Sequence, residues 1–184
     1  MKPIADLLFE ARMLKALPRS GYSFLGAGKE SVAEHSFMVA FIAYALGRMV
    51  PEADAGRLVA LCLVHDLPES RVGDQNSVNK IYVRPDEEHA VRDLTVDLPF
   101  GADLAGLLAE FEAAETLEAR LAKDADQLAL ILDLKALDDI GYRPPADWLP
   151  PVMDRLRTEP GRALAEAILE TRSDAWWRKA IEEA

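Results

Sequence analysis

The sequence predicts an all-α protein. Strand signals are weak, because no long alternation of apolar and polar residues occurs and hairpin dipeptides such as Asn-Gly are absent. Leucine, alanine and glutamate, which favour helices, dominate most segments. With 184 residues, half of them hydrophobic, the chain is long enough for one well-buried core. We therefore expect a single domain spanning residues 1–184.

The first helix is expected over residues 3–17, because Pro18 cannot continue it. A loop with three glycines, SGYSFLGAGK, follows at 20–29. The second helix should begin after this loop, at Ser31.

The start of the second helix carries a capping box. In Ser-Val-Ala-Glu the Ser31 hydroxyl can cap the first turn, and Glu34 can reach back to the Ser31 backbone N–H. His35 then lies in the first turn. At helical spacing it shares a face with Met38 and Ile42, so we expect its ring to point inward.

A third helix is expected over residues 53–66, where the apolar run LVALCLV ends in His65 and Asp66. Pro68 limits this helix, and the polar stretch 68–85 reads as a loop with at most short helical turns. The motif-bearing core should span about 14–140, with C-terminal helices over 146–181 packing on it. The remaining helices are expected at 86–97, 102–114, 116–140, 146–157 and 160–181.

Composition excludes several classes of function. A net charge of −11 and a pI near 4.7 argue against binding a nucleic-acid polymer. No apolar run approaches the ~20 residues that span a bilayer, and no secretory signal is visible. The single cysteine, Cys62, lies in an apolar run and is expected to be a core residue in a reducing compartment. We expect a cytoplasmic protein whose partner is a small molecule.

The doublet His65-Asp66 is the first candidate for function. An ionised carboxylate at the end of a buried run must be paired, neutralised or bound to a metal, because burying it alone is costly. The inward-facing His35 lies upstream, and the apolar helix LEARLAKDADQLALILDLKAL contains acids downstream. These residues together indicate a metal site.

Two acids of the downstream helix compete for the last position in this site. Asp124 falls on the stripe of Leu117, Leu121, Leu128 and Ile131. Asp126 lies on the side of the helix that carries Ala122, Ala129, Leu130 and Asp133. Periodicity alone favours Asp124 without excluding Asp126.

The pattern of one histidine, a His-Asp doublet and a distant aspartate resembles the HD superfamily of metal-dependent phosphohydrolases. Four blocks, LKALPRSGY, ESVAEHSFMVAFIA, ALCLVHDLPESRVGD and AKDADQLALIL, are similar to the branch that contains the 5′-deoxynucleotidases. They span residues 14–135, most of the chain. The resemblance implies a 5′-nucleotidase that removes phosphate from nucleoside 5′-monophosphates, using water activated by the metal.

The resemblance also implies roles for individual residues. It assigns the metal to His35, His65 and Asp66, and it selects Asp126 over Asp124 as the fourth ligand. Asp74, in Val-Gly-Asp, becomes the first candidate for activating water or protonating the leaving group, ahead of Glu69. For the substrate phosphate the resemblance implies Arg19, whose planar guanidinium can bind two oxygens, and Lys80 is a weaker candidate from the loop.

Two histidines and two carboxylates suit several divalent ions, and residue types do not choose among manganese, cobalt, zinc, nickel, iron and magnesium. We expect one ion, because the third histidine, His89, lies in the exposed-looking segment RPDEEHAVRD.

The chain departs from the family pattern near the substrate. After Val-Gly-Asp it reads QNSVNKIYV, where many relatives have an Ile and a segment with proline. Ser20 follows Arg19, at the position where a deoxynucleotidase of well-understood substrate preference has an aromatic residue. A preference for deoxyribose is therefore open. Trp176 and Trp177 are expected to pack in an amphipathic helix or to contact a second copy, and the resemblance implies a homodimer.

Two alternative functions remain at the sequence level. One is another HD phosphohydrolase, acting on nucleoside triphosphates or cyclic nucleotides. The other is a non-catalytic module that binds a metal and a nucleotide.

Overall fold

A computed structural model describes residues 1–142 and 148–183 of the chain. Within these residues the secondary structure is entirely helical, apart from one isolated bridge between Pro18 and Ser31. The predicted all-α fold is confirmed. The helices are α1 (Lys2–Met13), α2 (Tyr22–Leu25), α3 (Val32–Met49), α4 (Ala55–Val64), α5 (Glu69–Val72), α6 (Asn79–Tyr82), α7 (Glu87–Thr95), α8 (Gly101–Ala113), α9 (Leu117–Asp139), α10 (Leu149–Asp154), α11 (Glu159–Glu170) and α12 (Ala175–Glu182).

The main core lies between α3, α4 and α9, with α8 and α11 packed around them. Leucines from all three central helices, such as Leu46, Leu61 and Leu128, have no exposed surface. Each fully buried leucine contributes roughly 1.5–3 kcal/mol to stability. These three helices therefore form the rigid frame to which the candidate site residues are attached.

A second, smaller cluster joins α1, α7 and α8 to the start of α3. It contains Leu14, Val32, Leu94 and Leu104, all nearly inaccessible to solvent. Because Val32 immediately follows the α3 cap, this cluster fixes the helix end that carries His35.

The capping box at the start of α3 is confirmed. The Ser31 side chain accepts a hydrogen bond from the Glu34 backbone N–H at 3.2 Å, and Glu34 accepts one from the Ser31 backbone N–H at 2.7 Å. Both bonds satisfy donors that a helix start leaves free.

Asp124 is fully buried, as its hydrophobic stripe predicts, but it faces the chain that leads into α11. Its carboxylate accepts hydrogen bonds from the backbone N–H groups of Arg157 and Thr158 at 2.6 and 2.9 Å, and from the Thr158 hydroxyl at 2.6 Å. Gly161 lies so close that an added Cβ would be 2.8 Å from Asp124 Cγ. Asp124 thus joins α9 to the start of α11.

Three of the predicted helices differ in extent from the helices of the structure. The first helix ends at Met13, because residues 14–16 form tighter turns with bonds to carbonyls three residues back. The stretch 160–181 is two helices, since Thr171 is extended and the Ser173 backbone N–H donates to Asp139 at 2.6 Å. The beginning of the helix expected at 146–157 lies outside the described residues, and α10 forms only residues 149–154 of it, ending three residues earlier than predicted.

The other helix predictions agree with the structure within a few residues, and 68–85 is a loop with two single-turn helices, α5 and α6. Trp176 is 77% exposed and does not pack into the core of this chain, whereas its contact with a second copy stays a prediction. No helix in the ranges 1–142 and 148–183 is both long and apolar enough to cross a membrane. The extent of the domain, residues 1–184, stays a prediction.

Replacing Asp124 with alanine should lower the free energy of unfolding by about 2–4 kcal/mol, because buried N–H donors of residues 157 and 158 would lose their acceptor. Urea denaturation followed by circular dichroism measures the change. Asp138→Ala, at an exposed position of the same helix, should change stability by less than about 0.5 kcal/mol. Equal effects of the two variants would contradict the structural role of Asp124.

Candidate metal centre and active site

Three central helices bring the predicted metal ligands together. His35 comes from the first turn of α3 and is only 1% exposed. His65 follows the last residue of α4 and keeps a helical backbone, so that Asp66 begins the next turn. Asp126 lies near the middle of α9, on the side opposite to Asp124. Residues distant in sequence thus converge where α3, α4 and α9 pack.

The distances within this cluster are short. One donor atom each from His35, His65 and Asp126 lies within 4.8 Å of the other two. His35 Nε2 is 2.9 Å from Asp126 Oδ1. Asp66 Oδ2 is 3.1 Å from His65 Nε2 and 3.7 Å from His35 Nε2. Two imidazoles and two carboxylates therefore face a common point.

The hydrogen bonds of His65 determine which ring nitrogen is available. Its Nδ1 is 2.7 Å from the Cys62 carbonyl oxygen, which can only accept, so the proton lies on Nδ1. Nε2 is then the ring nitrogen that faces the cluster. His65 Nε2 and Asp66 Oδ2 are both buried and lie 3.1 Å apart as an ion pair, but neither atom makes a hydrogen bond of good geometry within the described parts of the chain.

The electrostatics of the cluster favour a bound cation. Burial by itself lowers the pKa of His65, but the carboxylates of Asp66 and Asp126 outweigh it and raise that pKa to about 9. Burial by itself raises the pKa of Asp126, but the hydrogen bond and charge of His35 lower it well below its usual range. The field that favours positive charge on His65 equally favours a divalent ion at the same point.

The donor set therefore fits a divalent metal. Mixed imidazole and carboxylate ligands suit borderline ions, and the buried atoms His65 Nε2 and Asp66 Oδ2, which make no hydrogen bond within the described residues, would each gain a bond to the ion. Asp124 is excluded from the cluster because its oxygens are bonded to residues 157 and 158. His89 is 58% exposed and pairs with Asp86 and Asp93, which confirms its predicted surface position.

Arg19 lies beside the cluster. Its Nη1 is 3.6 Å from Asp66 Oδ2 and 3.2 Å from Asp74 Oδ1, and its side chain is 23% exposed. Asp74 also accepts hydrogen bonds from the Ser20 backbone N–H at 2.6 Å and the Ser20 hydroxyl at 2.5 Å. The Asp74 carboxylate thus ties the loop after α5 to the start of the 20–29 loop.

Glu69, on the single-turn helix α5, differs from Asp74 in its environment. Its Oε2 is buried and finds no hydrogen-bond partner in residues 1–142 or 148–183. Burial, reinforced by the charges of Asp66 and Asp74, raises the pKa of Glu69 to about 8.

These groups line one end of a cavity of about 1120 Å³. The cavity end contains Arg19, His65, Asp66, Glu69, Asp74 and Asp126, and an apolar wall from α8 and α10 includes Leu108, Phe111 and Val152. Lys80 is exposed and lines the same cavity from α6. This volume exceeds slightly the usual 300–1,000 Å³ of small-molecule sites.

Sequence reasoning missed residues that surround the ligands. Glu30 Oε2 lies 3.6 Å from His35 Nδ1 and 3.9 Å from Arg19 Nε, and the Tyr22 hydroxyl donates to Asp133 nearby. Gln127 Nε2 donates to the second oxygen of Asp126 at 2.9 Å. Glu30 directly precedes the capping box and Gln127 directly follows Asp126. Their position next to predicted site residues is the sequence feature that could have identified them.

Comparison with known proteins supports this arrangement. The model of the HD domain family matches residues 11–165. The chain belongs to the HD domain family. Human 5′-deoxynucleotidase HDDC2 is 31% identical over 137 residues, which cover 71% of this chain and 66% of the human protein. The HDDC2 of Dictyostelium discoideum is 34% identical over 131 residues, 65% of this chain and 69% of that protein. The chain thus spans just under two thirds of the human protein.

Solved structures share the fold of this HD domain. A conserved hypothetical protein from Pyrococcus furiosus superimposes with a TM-score of 0.74 at 29% identity, over 91% of this chain and 99% of that one. A predicted metal-dependent phosphohydrolase from Magnetospirillum magnetotacticum gives 0.70 at 25% identity, over 92% and 93%.

The His65→Ala variant of this HD domain should bind Mn²⁺ or Co²⁺ at least about 100-fold more weakly, because Nε2 of His65 has no substitute donor in the cluster. Isothermal titration calorimetry on the purified variant measures the affinity. His89→Ala removes an exposed histidine outside the cluster and should bind like the unaltered protein. An unchanged affinity of His65→Ala would rule out the proposed coordination.

Proposed function

We propose that this HD domain is a metal-dependent 5′-nucleotidase that releases phosphate from nucleoside 5′-monophosphates, deoxyribonucleotides included. The observation that carries the proposal is the convergence of two histidines and two aspartates, with unpartnered buried atoms, beside Arg19 at one end of the cavity. The name 5′-deoxynucleotidase of similar proteins supports the substrate class.

In this proposal His35, His65, Asp66 and Asp126 hold one divalent ion. When bound, the ion supplies a water of lowered pKa and positive charge for the phosphoryl oxygens. The chain contributes His65 Nε2, which would give up its proton on binding the ion, while the Cys62 carbonyl keeps the proton on Nδ1. Gln127 orients Asp126 by donating to its other oxygen. Manganese, cobalt, zinc, nickel, iron and magnesium all suit these ligands.

Arg19 is proposed to bind the substrate phosphate. Its guanidinium is oriented by Asp74 and is adjacent to Asp66, so a phosphate oxygen near the ion would also be within reach of the Arg19 N–H groups. Lys80, on the exposed side of the cavity, would add a second and weaker positive charge. In a protein of net charge −11, such local cations are needed to attract an anion.

Glu69 and Asp74 are proposed to have different roles. Asp74 Oδ2 accepts two hydrogen bonds from Ser20 and Oδ1 faces Arg19, so its carboxylate is suited to holding Arg19 in place. Glu69 has a free Oε2 at the cavity and is suited to moving a proton to the leaving 5′-oxygen. We therefore assign proton transfer to Glu69 and positioning to Asp74.

Two other functions use the same site. A cavity of about 1120 Å³ has room for a nucleotide larger than a monophosphate, so nucleoside triphosphates are alternative substrates, and cyclic nucleotides, which are no larger than monophosphates, would also fit. A non-catalytic module would bind metal and nucleotide without turnover. We further propose that the protein acts in the cytoplasm, in line with its free, buried thiol Cys62. We also propose that it is a homodimer, as the family resemblance implies.

A panel of ribo- and deoxyribonucleoside 5′-monophosphates, triphosphates and cyclic nucleotides tests the proposed reaction. We expect Mn²⁺- or Co²⁺-dependent release of inorganic phosphate from the monophosphates, and loss of release after EDTA treatment. The ratio of rates on deoxyribose and ribose substrates measures sugar preference. Pyrophosphate release, or hydrolysis of cyclic nucleotides alone, would favour the alternative hydrolases, and absence of any turnover would favour the binding module.

Glu69→Gln should lower kcat about 10²–10⁴-fold while metal affinity is retained, because the amide keeps the shape but cannot transfer the proton. Steady-state kinetics and calorimetry on the same sample separate the two quantities. Glu87→Gln, an exposed glutamate on the same cavity, is the matched control and should keep full activity. Asp74→Asn should mainly raise KM. A kcat of Glu69→Gln close to that of the control would refute the assignment.

A further inference from the structure

The outer face of α3 exposes an aromatic stripe. Phe37, Phe41 and Tyr44 are 66, 60 and 57% exposed, respectively, and they follow each other at spacings of four and three residues. Neighbouring ring centroids are 6.4 Å apart in both pairs, so the rings form one continuous surface. The opposite face of α3 supplies core residues such as Val39 and Leu46. Helix α3 is thus apolar on both sides.

This stripe is bounded by one acid and one base. Between the exposed residues Glu34 and Arg48, the only exposed positions of α3 are the three aromatic residues. Phe41 lies seven residues from each of the two charges. Rotation by 180° about an axis through Phe41, perpendicular to the helix, therefore places the acid of one copy against the base of the other.

We propose that the outer face of α3 forms the centre of a two-fold symmetric homodimer, in which α3 of one copy packs antiparallel to α3 of a second copy near Phe41. A two-fold interface must be complementary to itself, and this stripe meets that requirement in charge, because an acid and a base lie at equal distances on either side of Phe41. The partner is a second copy of this chain, because a heterologous partner would not require the centred arrangement of acid, aromatics and base.

The physical roles within the interface differ by position. The aromatic rings lie at the centre, where burial of Phe and Tyr dominates binding at protein interfaces. The pairs between Glu34 and Arg48 lie toward the rim, where ion pairs fix orientation more than affinity. Helix α3 is about 27 Å long at 1.5 Å per residue, so surface on both sides of the stripe would have to join it to reach the roughly 800 Å² per copy of a standard interface.

The proposal extends the homodimer proposed above and does not depend on the hydrolase activity. His35 lies on the inner face of α3 and is buried, whereas the stripe lies on the outer face. Variants of the stripe therefore leave the metal ligands unaltered, and self-association is measured without any substrate.

Analytical ultracentrifugation of Phe41→Asp tests the surface. We expect the unaltered protein to sediment as a dimer at micromolar concentration, and the variant to show a dimer dissociation constant raised at least 100-fold with an unchanged circular dichroism spectrum. Phe9→Asp, at a 71% exposed position of α1, is the matched control and should remain dimeric. A dimer that Phe41→Asp leaves intact would refute this surface alone, and an unaltered protein that is monomeric would refute the homodimer as well.

Disulfide crosslinking tests the antiparallel arrangement. Phe41→Cys lies on the proposed axis, so its two copies should be within disulfide distance and oxidation should give a covalent dimer on non-reducing gels. Arg48→Cys is exposed on the same face, but its two copies would be about 21 Å apart along the helices and should not crosslink. The native Cys62 is buried and does not compete. Equal crosslinking of both variants, or crosslinking of Arg48→Cys alone, would overturn the arrangement.

Discussion

The structure depends on the negative charge enclosed where α3, α4 and α9 meet. Asp66 and Asp126 are carboxylates with little access to solvent, and each would be unstable there without compensation. His35, His65 and Arg19 supply part of the compensation, through contacts between 2.9 and 3.7 Å. His65 Nε2 and Asp66 Oδ2 contact each other but make no hydrogen bond in the described residues, and a bound cation would give both atoms a ligand bond. Packing of three apolar helices and binding of an ion are therefore linked, since each fixes the geometry on which the other depends.

Helix α9 connects this centre to the rest of the molecule. Its two acids, Asp124 and Asp126, are two residues apart and therefore point to nearly opposite sides of the helix. Asp124 is bonded to the start of α11, and Asp126 faces the cavity. The same helix thus carries a structural carboxylate and a candidate metal ligand. Their hydrogen-bond partners differ: Asp124 accepts from two backbone N–H groups and the Thr158 hydroxyl, and Asp126 contacts an imidazole and accepts from a side-chain amide.

Much of the fold could be predicted from the sequence, because helix starts have local causes. The capping box at Ser31 and the prolines at positions 18 and 68 act within a few residues, and the structure has helix boundaries near each of them. The break at Thr171 could not be predicted in this way, since it depends on the contact of Ser173 with Asp139. Such a contact joins residues 34 apart, and no local pattern encodes it.

The candidate site was predictable only in part. Periodicity favoured Asp124 because it lies on the more apolar stripe, and it is indeed the more deeply buried acid. Helix α9 contacts α3, α4, α8, α10 and α11 and is therefore buried on almost every side. A helix buried in this way has no single apolar face, so hydrophobic periodicity does not show which acid faces the metal site. The family pattern selected Asp126, the acid that the fold places beside His35. Glu30 and Tyr22 are recognisable only once the helices are assembled.

The bridge between Pro18 and Ser31 lowers the conformational entropy that is lost when the substrate binds. The Arg19 N–H donates to the Glu30 carbonyl at 2.9 Å and the Val32 N–H to that of Leu17 at 2.9 Å, so the two ends of the intervening loop are held side by side. The guanidinium and the first histidine are thereby kept at a fixed separation before any ligand arrives. Little conformational entropy is then lost when an anion binds between them, and more of the interaction free energy is available for affinity and for the reaction itself.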